Sequence, residues 1–146
     1  MKDQRGFTLI EMLFVLLILV IVSSITSQIS LKTFERSAID QFIVQVSIDI
    51  QRMQTLAMQK GIHTTIVFNS DNTYKGYVQN DYYYPEIEKK FPEGIRLDIL
   101  GSNLKRITFN NQGDIADFGR IKFFTPYGER EIIVNIEKGR LRINGQ

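Results

Sequence analysis

The pattern of apolar and polar positions changes character twice along the chain. From Met12 to Val22 no polar side chain occurs, and the wider stretch from Phe7 to Leu31 is apolar at 17 of 25 positions. Apolar residues then recur at Leu31, Phe34, Ala38, Phe42, Val46, Ile50, Met53 and Ala57. Their steps of three and four mark one face of a helix, with Glu35, Arg36, Asp40, Gln45, Asp49 and Arg52 on other faces. No Pro or Gly interrupts Phe7 to Lys60, and Gly61 is a natural stop. The pattern therefore predicts one helix over 7–60, roughly 80 Å long at about 1.5 Å per residue. After Gly61 the period shortens to two. Strands are predicted at His63–Phe68, Thr73–Val78, Ile95–Leu100, Arg106–Asn110, Arg120–Phe124, Glu131–Ile136 and Arg140–Ile143, with an irregular stretch from Asn80 to Gly94. Turn residues at Asn69–Asn72, Asn111–Gly113, Pro126–Gly128 and Lys138–Gly139 separate them. Short alternating strands suit an antiparallel sheet with one covered face, and the amphipathic half of the helix supplies the cover. The predicted class is α+β, a long N-terminal helix packed on a C-terminal antiparallel β-sheet.

The first apolar run has the length of a membrane span, since some 20 helical residues cross a ~30 Å hydrocarbon core. Lys2 and Arg5 precede it, which predicts a cytoplasmic N-terminus and an exported C-terminal part. Its apolar core is longer than that of a secretory signal, although Ser23-Ser24 could form a weak cleavage site. Glu11 is the exception in this run. A carboxylate there is costly in lipid and marks a functional position. A cut between Gly6 and Phe7 would create an amino group four residues before Glu11, on the same helical face. That ammonium could neutralise Glu11 within one chain or, in a bundle, between neighbouring chains, where it would favour one axial register.

Composition narrows the chemistry. The chain has 146 residues, 43% of them hydrophobic, so it is one domain with an appendage and neither disordered nor polytopic. The average conceals two environments. Zero Cys excludes disulfides, thiolate metal sites and cysteine nucleophiles, and with a lone His63 no zinc site is expected. The net charge of +2 is too small to point to nucleic acid by itself.

The run Arg5-Gly6-Phe7-Thr8-Leu9-Ile10-Glu11-Met12-Leu13 closely resembles the processing site of the type IV pilin and pseudopilin family. In that family a short basic leader ends in Gly, Phe is usually the first mature residue, and Glu stands fifth before an unbroken apolar run. The resemblance implies cleavage after Gly6 by a prepilin peptidase, N-methylation of Phe7, and pairing of Glu11 with the methylated amine during assembly. It divides the chain into a leader (1–6), a transmembrane and assembly helix (7–30), its amphipathic continuation (31–60) and a β-sheet domain (61–146). Further on, His63-Thr-Thr-Ile-Val-Phe68, Leu104-Lys-Arg-Ile-Thr-Phe-Asn110 with Gly113, and Ile132-Ile-Val-Asn-Ile136 followed by Gly139-Arg140 are most similar to the ComGD-type minor pseudopilins of Gram-positive competence pili. This implies a non-enzymatic subunit without cofactor, needed for DNA uptake in transformation. It would sit in the cell membrane, then on the cell surface. Its implied partners are the prepilin peptidase, membrane lipid before assembly, and other pilins through the N-terminal helix. The pseudopilins of type II secretion are the nearest competing assignment. From other classes stand an uncleaved single-pass anchor carrying a binding module and a secreted β-rich module cut near Ser24.

Few other residues carry chemistry. His63 lacks the companions of a catalytic site and reads as structural or solvated. Asp114 and Asp117 lack calcium-loop spacing and suit a turn better. Tyr82 to Tyr84 form either an exposed aromatic edge or strand packing. Between Gly101 and Gln146 eight basic residues face five acidic ones, and Arg140 and Arg142 share a strand face. With Lys122 they offer weak contact to DNA phosphates, or simply a solvated sheet face.

Overall fold

The computed structural model describes residues 8–79, 81–135 and 141–145, and the side chains of these apart from 25–33. Helix α1 (Leu9–Lys60) comes first. The strands that follow are β1 (Thr64–Phe68), β2 (Thr73–Val78), β3 (Ile87–Lys90), β4 (Arg96–Leu97), β5 (Arg106–Phe109), β6 (Gly119–Thr125), β7 (Gly128–Val134) and β8 (Leu141–Asn144). The chain divides into two compact units, Met1–Ser37 and Ala38–Gln146.

Both ends of α1 follow from local chemistry. Thr8 caps the start: its carbonyl accepts from the Glu11 and Met12 amides at 3.1 and 3.2 Å, and its hydroxyl lies 3.4 Å from the Glu11 amide. The stop is Gly61, whose φ of +64° an L side chain seldom adopts. That turn lets the Ile62 amide donate to the Ala57 carbonyl at 3.1 Å, the bond that closes a helix in the Schellman manner.

In the second unit the strands form two four-stranded antiparallel sheets, ordered β3-β2-β1-β5 and β4-β6-β7-β8, where a single sheet was expected. The chain crosses to the second sheet at β4, returns for β5, and crosses again for β6. Alternation in each strand turns one row inward: Ile66 and Phe68 from β1, Tyr74 from β2, Ile107 and Phe109 from β5, Ile121 and Phe123 from β6, and Ile132 and Val134 from β7. They join Ile39, Phe42, Ile43, Val46, Ile50, Met53 and Ala57 of α1 in one core. Phe42 is the hub, with ring centroids of Phe91, Phe123 and Tyr74 at 5.2, 5.9 and 6.3 Å.

Several boundaries differ from the sequence reading. Phe34 and Ala38 are exposed, so the covered face of α1 begins at Ile39. The predicted irregular stretch contains β3, paired to β2 from Thr73↔Lys90 to Gly76↔Ile87. The strand expected at Ile95–Leu100 shrinks to β4, because the Asp98 carboxylate turns back to accept from the Leu100 and Gly101 amides at 3.1 and 2.8 Å. The predicted ends Ile136 and Arg140 and the turn at Lys138–Gly139 lie outside the described residues.

Candidate assembly stem and processing motif

The first unit contains the feature with the clearest functional meaning. From Leu9 to Val22 every side chain except Glu11 is a large hydrophobe, and each is between 48% and 84% exposed. An amphipathic helix would bury one stripe; this one has no polar face. A helix apolar all round is stable only when lipid or other apolar helices surround it. No helix among the described residues is long and apolar enough to cross a membrane. The run with described side chains, 9–24, is about 24 Å long, short of a ~30 Å core. The expected transmembrane segment, 7–30, extends beyond it at both ends.

Glu11 is exposed and occupies the third position of the first helical turn. Thr8-Leu9-Ile10-Glu11 has the spacing of a capping box, a second role for these residues beside the charge and hydropathy that the sequence reading uses. Its negative charge also opposes the positive end of the helix dipole. Gly6 and Phe7, the expected cleavage and methylation positions, lie outside the described residues.

A second polar feature sits inside the sheet domain. Asp49, placed by periodicity on an outer face of α1, is only 2% exposed. Its Oδ2 accepts from the Tyr74 hydroxyl at 2.6 Å and the Lys89 Nζ at 2.7 Å, and its Oδ1 from the Gln45 amide at 3.1 Å. One carboxylate thus ties α1 to β2 and β3. Burial, then the hydrogen bond to Asp49, then its charge hold the Tyr74 phenol well above its ordinary pKa of 10.0. The signal was present in the steps Phe42, Val46, Asp49, Met53, which put Asp49 on the inner stripe.

The basic row of the second sheet is largely paired within the sheet. Lys122 lies 3.5 Å from Glu129 and Arg120 3.8 Å from Glu131, across β6 and β7. Arg142, opposite Ile133, has no ion-pair partner among the described residues, and Arg140 lies outside them. The row that reads as a basic stripe in sequence alternates in sign in space. His63 is exposed, and its carbonyl accepts from the Gln79 amide at 2.9 Å. Asp114 receives the Asn110 side-chain amide at 3.2 Å and is part of that turn. Tyr83 and Tyr84 are exposed, while the Tyr82 ring lies 4.8 Å from that of Tyr77.

Comparison with known proteins bears on both units. Residues 1–27 match the family model described as the prokaryotic N-terminal methylation motif. Among solved structures, the type IV minor pilin FimU of Pseudomonas aeruginosa strain PAO1 matches in two crystal forms. The first has a TM-score of 0.58 at 10% identity, covering 78% of this chain and 90% of that one. The second has a TM-score of 0.56 at the same identity, covering 75% and 92%. The chain carries the methylation motif, and its fold matches that of a pilin. At 10% identity the structural likeness is one of fold alone. No curated protein sequence matches this chain.

Proposed function

We propose that this chain is a minor pilin or pseudopilin, a non-enzymatic structural subunit of a type IV pilus-like competence apparatus that serves DNA uptake. The observation that carries the reading is the stem: a helix segment with no polar face that lies within the matched methylation motif and belongs to the same helix α1 whose later residues join the core of a pilin-like domain. Prepilin peptidase cuts after Gly6 and methylates Phe7. The stem waits in the cytoplasmic membrane with its N-terminus inside, then leaves lipid to pack among the stems of other pilins. That transfer yields little hydrophobic gain, because lipid and stem are equally apolar. Close packing and the neutralisation of Glu11 by a terminal ammonium, its own or a neighbour's, provide the selectivity. The competence role is supported by the strand and turn residues that resemble the ComGD-type subunits. A direct phosphate contact by the second sheet rests on Arg140 and Arg142, since Lys122 is already opposed by Glu129.

Intact mass spectrometry of the chain from a host with its prepilin peptidase tests the reading. The expected product lacks six residues and carries one added methyl group. A full-length mature chain, or one cut near Ser24, overturns it.

A further inference from the structure

Phe34 stands apart among the apolar residues of α1. It is 70% exposed, although it belongs to the row of apolar positions that the helical period aligns with the core. The residues one and two turns further along its own face, Ala38 and Gln41, are exposed as well. The stripe that enters the core between Ile39 and Ala57 therefore does not reach round to it. A large ring on that face has to be covered by something other than the sheets.

Its position along the helix says what that is. α1 is unbroken from Leu9 to Lys60, and from Met12 to Leu31 the sequence has 20 residues without a charge, bounded by Glu11 and Lys32. At about 1.5 Å per residue they span about 30 Å, the thickness of a hydrocarbon core. The later part of this run is rich in Ser and Thr, which lipid tolerates when their hydroxyls are satisfied within the helix. Ser24 shows that arrangement: its hydroxyl donates to the Val20 carbonyl at 2.9 Å. Phe34 follows Lys32 by two residues, about 3 Å along the axis, and Glu35 and Arg36 come directly after it.

We infer that Phe34 lies at the outer boundary of the membrane while the chain is anchored there, its ring lodged between the lipid headgroups and the first carbons of the acyl chains. The partner is lipid because the helix before Phe34 is a membrane-length run without charge and the residues after it are charged, so the ring stands where the solvent changes. Glu35 and Arg36 are costly to draw into hydrocarbon, which keeps the ring from sinking deeper. An apolar side chain on a helix at this depth is covered by the boundary layer itself. The inference rests on the membrane-anchor part of the proposed function and adds where on the chain that anchor ends.

The chain lacks Trp, so Phe34→Trp supplies a single indole. The full chain carrying it is reconstituted into vesicles of phosphatidylethanolamine and phosphatidylglycerol, with Tyr83→Trp, at an exposed position of the sheet domain, as reference. Emission from position 34 should be blue-shifted from the reference and quenched more by a spin label at the top of the acyl chain than by one near its methyl end. Emission and quenching equal to the reference overturn the inference, and so does stronger quenching by the deep label, which would put the residue in the hydrocarbon interior. Because indole itself favours the headgroup region, a second variant is read without it. Phe34→Cys, the single thiol in a chain without Cys, should react several-fold more slowly with a membrane-impermeant maleimide in these vesicles than Tyr83→Cys; equal rates refute the boundary. Sedimentation separates this inference from the reading beneath it. A chain that stays in the supernatant refutes the anchor and the inference with it, whereas a vesicle-bound chain with position 34 in water refutes the inference alone.

Discussion

Asp49 provides the sharpest test of how the helix is held to the sheets. Its carboxylate is buried and accepts hydrogen bonds from Tyr74, Lys89 and Gln45 at 2.6, 2.7 and 3.1 Å. Replacing Asp49 by Leu keeps apolar bulk but strands the Tyr74 hydroxyl in the core. The Lys89 side chain is 41% exposed, so its ammonium returns to water and the cost falls at the low end of that for breaking a buried pair, about 3 kcal/mol. Tyr74→Phe removes one hydrogen bond to a charged acceptor and costs about 1.5 kcal/mol. The double variant has no orphaned hydroxyl, so its cost should stay near 3 kcal/mol, below the sum of about 4.5 kcal/mol, a coupling of about 1–2 kcal/mol. Guanidinium denaturation of the full chain in detergent, followed by the tyrosine band in near-ultraviolet circular dichroism, measures the cycle without interference from Trp, which is absent. The Asp49→Leu chain should also melt roughly 10 °C lower. Additivity of the two substitutions, or an Asp49→Leu chain as stable as the parent, refutes the carboxylate as the pin between α1 and the first sheet.

Two further outcomes follow from named groups. The Tyr74 phenol is raised in the fold, so its contribution to stability is intact below its ordinary pKa near 10 and is lost as pH rises beyond it, where the unfolded chain ionises first. Denaturation midpoints from pH 8 to 11 should fall more steeply for the parent than for Tyr74→Phe; parallel slopes would contradict this. Glu11→Ala should leave cleavage after Gly6 largely intact while the chain disappears from sheared filaments. Normal incorporation by immunoblot would remove the assembly role of Glu11.

Much of this fold is legible in the sequence where local chemistry dictates it. The β1–β2 hairpin was read to within one residue because alternation and the Asn69–Asn72 turn agree: Asp71 accepts from the Thr73 amide at 3.1 Å, and Asn72 takes a φ of +59°. Strand β3 was missed because Ile87 is its single apolar residue; pairing with β2 makes it a strand. The two-sheet arrangement was not visible, since it depends on which distant strands meet, a non-local choice that periodicity does not record. Asp49 reads as an outward residue because charge predicts exposure, whereas the Tyr74 hydroxyl and Lys89 ammonium, distant in sequence, satisfy it in the core. The stem is the most legible part, since a helix apolar on every side is already written in an unbroken apolar run.

The stem also has a mechanical meaning. Because its apolar surface from Met12 to Val22 is the same on every side, turning it about its long axis exchanges one aliphatic contact for another. Like a bearing, it presents no polar group at any azimuth to apolar surroundings. Azimuth is left to whatever grips the chain beyond the smooth rod.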